Sequence, residues 1–161
     1  MRTAQIIDSV WISRTIARKL EELADEHFPL EVGGILAGYL SNDSAVVTEI
    51  VGPGPQAQHH HETFLPDHSY QTEQVHRIFW ESKGRILYLG DWHTHPQGPP
   101  ALSPLDIRTM RTIAESPEAR CPSPVMILLA QAKTEWMIRA FCLANPRESL
   151  PKAKAVRIQL F

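Results

Sequence analysis

His93 and His95 stand one residue apart at the end of an apolar run, and a turn of seven residues separates them from Ser103 and then Asp106. No other stretch restricts the fold as tightly. On an extended segment side chains alternate with a period of two, so both imidazoles project from one side and reach a common point without backbone contortion. The intervening Pro96-Gln97-Gly98-Pro99-Pro100-Ala101-Leu102 is rich in turn formers. Ser103-Pro104-Leu105-Asp106 then reads as a helix start, with serine at the N-cap, proline at the first helical position and an acid in the first turn. The segment therefore calls for a strand, a turn and a helix N-terminus in that order, with the carboxylate of Asp106 folded back towards the imidazoles.

Two nitrogens and one oxygen form a set that zinc accepts at about 2.0 to 2.2 Å, and three protein ligands leave the fourth tetrahedral position for water. An open position of that kind marks a catalytic rather than a structural site and lowers the pKa of the bound water towards about 7. The histidine pair alone is weak evidence: with eight histidines in 161 residues it is expected roughly 0.4 times by chance. Requiring serine and aspartate at their offsets reduces the expectation to on the order of one in a thousand. A capped helix start accounts for Ser103 and Asp106 without a metal, but it leaves the two histidines unexplained.

The rest of the chain supplies elements to carry this motif. Ile16, Leu20 and Leu23 recur at helical spacing between Ser13 and His27, with Ser13 able to cap the first turn. Pro29 ends that helix. The run from Val32 to Leu40, which holds Gly33, Gly34 and Gly38 among apolar residues, suits a buried strand approached closely by another backbone. It forms a hairpin with Ala45 to Val51 through the turn Ser41-Asn42-Asp43-Ser44. Gly52 to Asp67 shows neither periodicity and reads as a long loop, a kind that in compact domains is often functional. A second helix runs from about Ser69 to Ser82 through Val75, Ile78 and Phe79, a strand from Arg85 leads into the histidines, and a third helix starts at Ser103. Val125 to Ala130, Trp136 to Leu143 and Val156 to Phe161 are further strands. The expected class is α+β: one domain over residues 1–161, with a mixed central sheet flanked by helices and the zinc site at a strand end and the following helix N-terminus.

Composition excludes several functions. A net charge of −2 gives no basic footprint for nucleic acid. No run approaches the 18 or so apolar residues of a membrane span, and the N-terminus lacks the layout of a signal peptide, so the expected location is cytoplasmic. Cys121 and Cys142 have no CxxC spacing and read as two buried free thiols.

With HTHP, the downstream SxxD and the earlier Glu31-Val32-Gly33-Gly34-Ile35-Leu36-Ala37-Gly38 taken together, the chain resembles the JAB1/MPN/Mov34 (JAMM) metalloproteases, most closely the small bacterial JAB-domain type that includes the deconjugating isopeptidases of CBASS anti-phage operons. The resemblance implies one zinc ion per chain held by His93, His95 and Asp106, with Glu31 as general base and Ser103 supporting the transition state. It also implies hydrolysis of the bond after the C-terminus of a ubiquitin-like or conjugated bacterial protein, whose extended tail lies along a strand edge near the zinc, with E1-like and E2-like enzymes as operon partners. Processing of a sulfur-carrier protein precursor is an alternative, as is a non-catalytic zinc-binding scaffold of the MPN type.

Other histidines are poorer candidates. His59-His60-His61 lack a spaced acid or cysteine and read as a solvated loop, and His61-Glu62-Thr63-Phe64 reaches Leu65 where the HExxH zincin motif needs its second histidine. Trp92 reads as packing beneath the site. By the same resemblance, Phe64, Leu65 and Asp67 fall where JAMM enzymes present a loop beside the cleft, and Phe64 would hold a substrate tail there.

Overall fold

A computed structural model describes residues 2–161. Nine strands and three helices follow one another as β1 (Ser9–Ile12), α1 (Arg14–His27), β2 (Gly33–Ser41), β3 (Ser44–Val51), β4 (Gln58–His59), β5 (Phe64–Leu65), α2 (His68–Glu81), β6 (Leu87–His95), α3 (Pro104–Glu115), β7 (Val125–Ala132), β8 (Glu135–Leu143) and β9 (Ala153–Leu160). Helix caps lie where the sequence puts them: the Ser13 side chain accepts from the Ile16 N–H at 3.1 Å, and Ser103 and Asp106 form a reciprocal capping box.

The mixed sheet is present, and it goes further than a flat layer. Its strands run β1-β3-β2-β6-β7-β8-β9, and β9 pairs back onto β1, so the sheet closes into a barrel. Closure depends on β1, which the periodicity analysis missed. Four residues are too few to carry a pattern, and β1 makes both of its pairings, with β3 and β9, in parallel with strands distant in sequence.

Alternation along each strand divides the barrel into an inner and an outer surface. On β6, Trp92 and Thr94 are buried while Asp91, His93 and His95 are only half-buried, so the histidines face outward and the tryptophan inward. Leu36, Val47, Leu89, Trp92, Ile127 and Leu129 form the main core together with Ile16, Leu20 and Ala24, the buried stripe of α1. Met110 of α3 packs with Met126 and Leu143 in a second, smaller cluster. β7 is buried over its first six positions, from Val125 to Ala130, because one of its faces lies in the barrel core and the other lies under α3.

Close backbone approach explains one glycine in particular. A Cβ on Gly34 would collide with the Val51 carbonyl oxygen and the Trp92 ring. The same Trp92 is 1% exposed and donates its indole N–H to Val51 O at 3.1 Å. Cys121 and Cys142 are both buried and free.

Candidate metal centre

β6 carries the two histidines to its end, where Gln97 takes a positive φ of 61° and the chain turns. The returning loop bonds back onto the second imidazole: His95 Nδ1 donates to Pro99 O at 3.3 Å, which turns Nε2 towards the cluster. Asp106, at the third position of α3, is held by the Ser103 N–H on Oδ2 at 2.7 Å, while the Asp106 N–H donates to Ser103 Oγ at 3.1 Å. Helix capping and convergence on the histidines thus use the same carboxylate.

The three donors meet. His93 Nε2 lies 3.1 Å from His95 Nε2 and 3.1 Å from Asp106 Oδ1, and His95 Nε2 lies 3.3 Å from Asp106 Oδ2. Tetrahedral ligation with bonds of about 2.0 to 2.1 Å requires ligand separations of roughly 3.3 Å, and one ligand atom from each of the three residues lies within 4.8 Å of the others, with a different Asp106 oxygen nearest each imidazole. The donor set and its spacing fit a small divalent ion. Among the described residues this is the one such cluster of histidine, cysteine and acidic side chains.

Charge follows the geometry. Burial works to raise the Asp106 carboxyl, but hydrogen bonds from His93 and His95, the charge of His93 and the Ser103 N–H hold it well below the usual carboxylate range. Burial opposes the His95 cation, yet the hydrogen bond and charge of Asp106 together lift this imidazole above its ordinary value.

Glu31 lies just before β2, and the sheet register says where its side chain points. Gly33 is the direct partner of His93 in the antiparallel β2–β6 pair. Extending that register by two residues sets Glu31 opposite His95, on the face that carries both histidines. Two bonds at the intervening position hold the extension: the Thr94 N–H donates to Val32 O at 2.9 Å, and the Val32 N–H donates to Thr94 Oγ1 at 3.0 Å. Burial raises the Glu31 carboxyl above its ordinary value against the lowering pull of His93 and His95, with Asp106 and Glu62 adding to the rise.

Glu31, His93, His95, Ser103 and Asp106 all line one cleft of about 850 Å³. Leu65 from β5 and Leu105 from α3 are exposed apolar groups on its walls. Phe64 also lines it, and a Cβ on Gly33 would stand 3.0 Å from the Phe64 ring, so the glycine leaves room for this aromatic. Trp92 is buried on the opposite face of β6 from the histidines, in the core below them.

A family model for the prokaryotic homologs of the JAB domain matches residues 13–142. The chain belongs to that JAB family. The JAB chain is 37% identical over 146 residues to a probable metalloprotease of Sinorhizobium fredii, an alignment covering 88% of this chain and 87% of the relative. It is 28% identical over 131 residues to a CD-NTase/cGAS isopeptidase of Escherichia coli, covering 80% of each. A solution structure of a Desulfitobacterium hafniense protein superposes on this JAB fold with a TM-score of 0.68 at 20% identity, covering 94% of this chain and 92% of the other.

Two parts of the site differ from the sequence reading or escaped it. The three adjacent histidines do not act alike: His60 and His61 are exposed, whereas His59 is half-buried and its ring stacks on His27 with centroids 4.2 Å apart. The loop that holds them contains the short antiparallel pair β4–β5, a two-stranded flap over the cleft side of β2. Thr94 lies between two histidines and points inward, so its residue type gives no sign of a role. Its hydroxyl, on a fully buried residue, joins the Thr94 backbone N–H in tying the chain beside Glu31 to β6.

Proposed function

We propose that this JAB domain, taken as one unit over residues 1–161, is a cytoplasmic zinc-dependent peptidase that cleaves the isopeptide or peptide bond after the C-terminus of a conjugated or ubiquitin-like protein. The observation that carries the reading is the three-donor cluster opening into a cleft that also holds Glu31. In this reading His93, His95 and Asp106 hold one zinc ion. When bound, the ion polarises the scissile carbonyl and lowers the pKa of an attacking water.

The chain's own groups do the remaining work. The Glu31 carboxylate takes the proton of the attacking water and hands it to the departing amine, and partial burial favours that exchange by bringing its pKa closer to working pH. Ser103 Oγ already accepts from the Asp106 N–H, which leaves its own hydrogen free to donate to the developing oxyanion. Phe64, Leu65 and Leu105 give the cleft apolar walls for an extended tail.

The tail cannot add to the histidine strand itself, because β6 is paired with β2 on one side and β7 on the other. Among the described strands, only the β4–β5 flap keeps open edges beside the cleft, and β5 is the strand that lines it. We therefore place the tail along β5. The isopeptidase names of several relatives support a conjugated protein as substrate, with E1-like and E2-like operon enzymes as its source and anti-phage defence as its setting.

The test is metal analysis of the purified chain together with a panel of candidates: a conjugate on a CD-NTase, other ubiquitin-like conjugates and a sulfur-carrier precursor. About one zinc per chain is expected, with release of one panel member that is abolished by Glu31→Gln while zinc is retained. A chain that binds zinc and cleaves nothing on the panel would instead be a scaffold.

A further inference from the structure

The β4–β5 flap does more than border the cleft, because it grips the backbone of residue 31 from both sides. The Glu31 N–H donates to His60 O at 2.8 Å, and the Glu31 carbonyl accepts from His59 Nδ1 at 2.8 Å. A carbonyl oxygen can only accept, so this contact fixes the His59 ring with its proton on Nδ1. Two aromatic neighbours support the ring. It lies between His27, stacked at 4.2 Å, and Phe64, with centroids 5.4 Å apart. His27 is in turn anchored to α1 through Nδ1 and Leu23 O at 3.0 Å.

The base of the flap is fixed as well. The Asp67 N–H donates to Pro53 O at 3.0 Å, the Gln56 N–H donates to the Asp67 carboxylate at 3.0 Å, and buried Gln71 donates to Gly52 O at 3.1 Å. Both ends of the flap are therefore tied to the start of α2, and its tip is tied to residue 31.

We propose that His59 is a positioning residue: its imidazole clamps the main chain of Glu31 and so sets where that carboxylate stands relative to the His93, His95 and Asp106 cluster. The proposal rests on Glu31 being the proton-transferring group. His59 itself does not line the cleft, so its influence passes entirely through residue 31. Its cross-strand partner Phe64 does line the cleft, so occupancy of the cleft and placement of Glu31 share one small element.

Two substitutions separate the hydrogen bond from the stacking. His59→Phe keeps a ring between His27 and Phe64 but has no donor, whereas His59→Asn offers an amide N–H near the Nδ1 position without the ring. Nitrogen-15 NMR of the wild-type chain at mildly alkaline pH should show His59 protonated on Nδ1. Amide exchange at Glu31 should accelerate about fivefold to tenfold in His59→Phe, the factor one lost hydrogen bond carries, and much less in His59→Asn. On whichever conjugate the wild type cleaves, kcat should fall about 10- to 100-fold in His59→Phe with KM and bound zinc little changed, and His59→Asn should recover most of the loss.

A proton on Nε2, or equal Glu31 exchange in wild type and His59→Phe, overturns the clamp. Equal kcat in His59→Phe and wild type, with Glu31→Gln inactive, overturns its positioning role. If the wild type cleaves no conjugate, the hydrolase reading fails, while the clamp is still decided by the two NMR measurements.

Discussion

Gly33 and His93 face each other across the β2–β6 pair, and a Cβ on the glycine would stand 3.0 Å from the His93 Cβ and 2.7 Å from the Trp92 carbonyl oxygen. An imidazole of the three-donor cluster is thus seated against a position that has no side chain. The crowding comes from the cleft side at Gly33 and from the barrel interior at Gly34, so adjacent glycines should fail in different ways.

Gly33→Ala is expected to keep the fold while displacing His93 and the flap, weakening metal binding by about 10- to 100-fold, as loss of ligand support does elsewhere. Gly34→Ala drives a methyl into the Val51 carbonyl and the Trp92 ring and should cost about 3 kcal/mol or more of folding stability. Zinc titration and urea unfolding of the two variants distinguish these outcomes; similar behaviour of both would contradict the geometry.

Asp106 serves two ends at once. Asp106→Ala should lower bound metal from about one per chain to near zero and, because the reciprocal cap on α3 is lost as well, should cost about 1 kcal/mol even in chelator. Chelation of the wild type removes only the first contribution, so calorimetry with and without chelator separates the two.

Ser103 is divided in the same manner. Ser103→Ala should cost about 1 kcal/mol of stability by removing the acceptor for the Asp106 N–H, and about 3 kcal/mol of transition-state stabilisation by removing the hydroxyl donor. Ser103→Thr, which keeps both functions, should retain the cap and much of the rate. Comparing unfolding with turnover in the two variants checks the division.

Burial pushes the Cys121 thiol up to about 12 and the Cys142 thiol up to about 11, from an ordinary value of 9.0. A raised folded-state pKa means that the native chain holds these protons longer than the unfolded chain does. Their contribution to stability is therefore complete below pH 9.0 and is lost as pH rises through about 11 to 12. From pH 9.0 upward, stability should fall more steeply with pH in the wild type than in a Cys121→Ala, Cys142→Ala double variant. In the native protein neither thiol should react readily with an alkylating reagent at neutral pH.

The parts of the site readable in the sequence are those governed by local rules. Period-two placement put His93 and His95 on one face, and capping chemistry put Ser103 and Asp106 at a helix start; both depend only on neighbours a few positions away. Glu31 was reached through the family resemblance, and its alignment with His95 follows from a strand register that no local pattern specifies. His59 was misread because the group it binds is a main-chain carbonyl, which leaves no trace in residue type. Closure escaped for a related reason. The hydrophobic alternation of β8 and β9 is as compatible with an open edge as with a closed ring, and the deciding partner, Val10 and Ile12 on β1, is too short to announce itself.

The ring of strands also constrains how the molecule comes into being. β1 leaves the ribosome long before its last neighbour, β9, so the barrel has no complete form until residues 153–160 have been synthesised. Pairings between such distant segments form slowly, and the outer edge of β1 stays exposed to other chains while it waits.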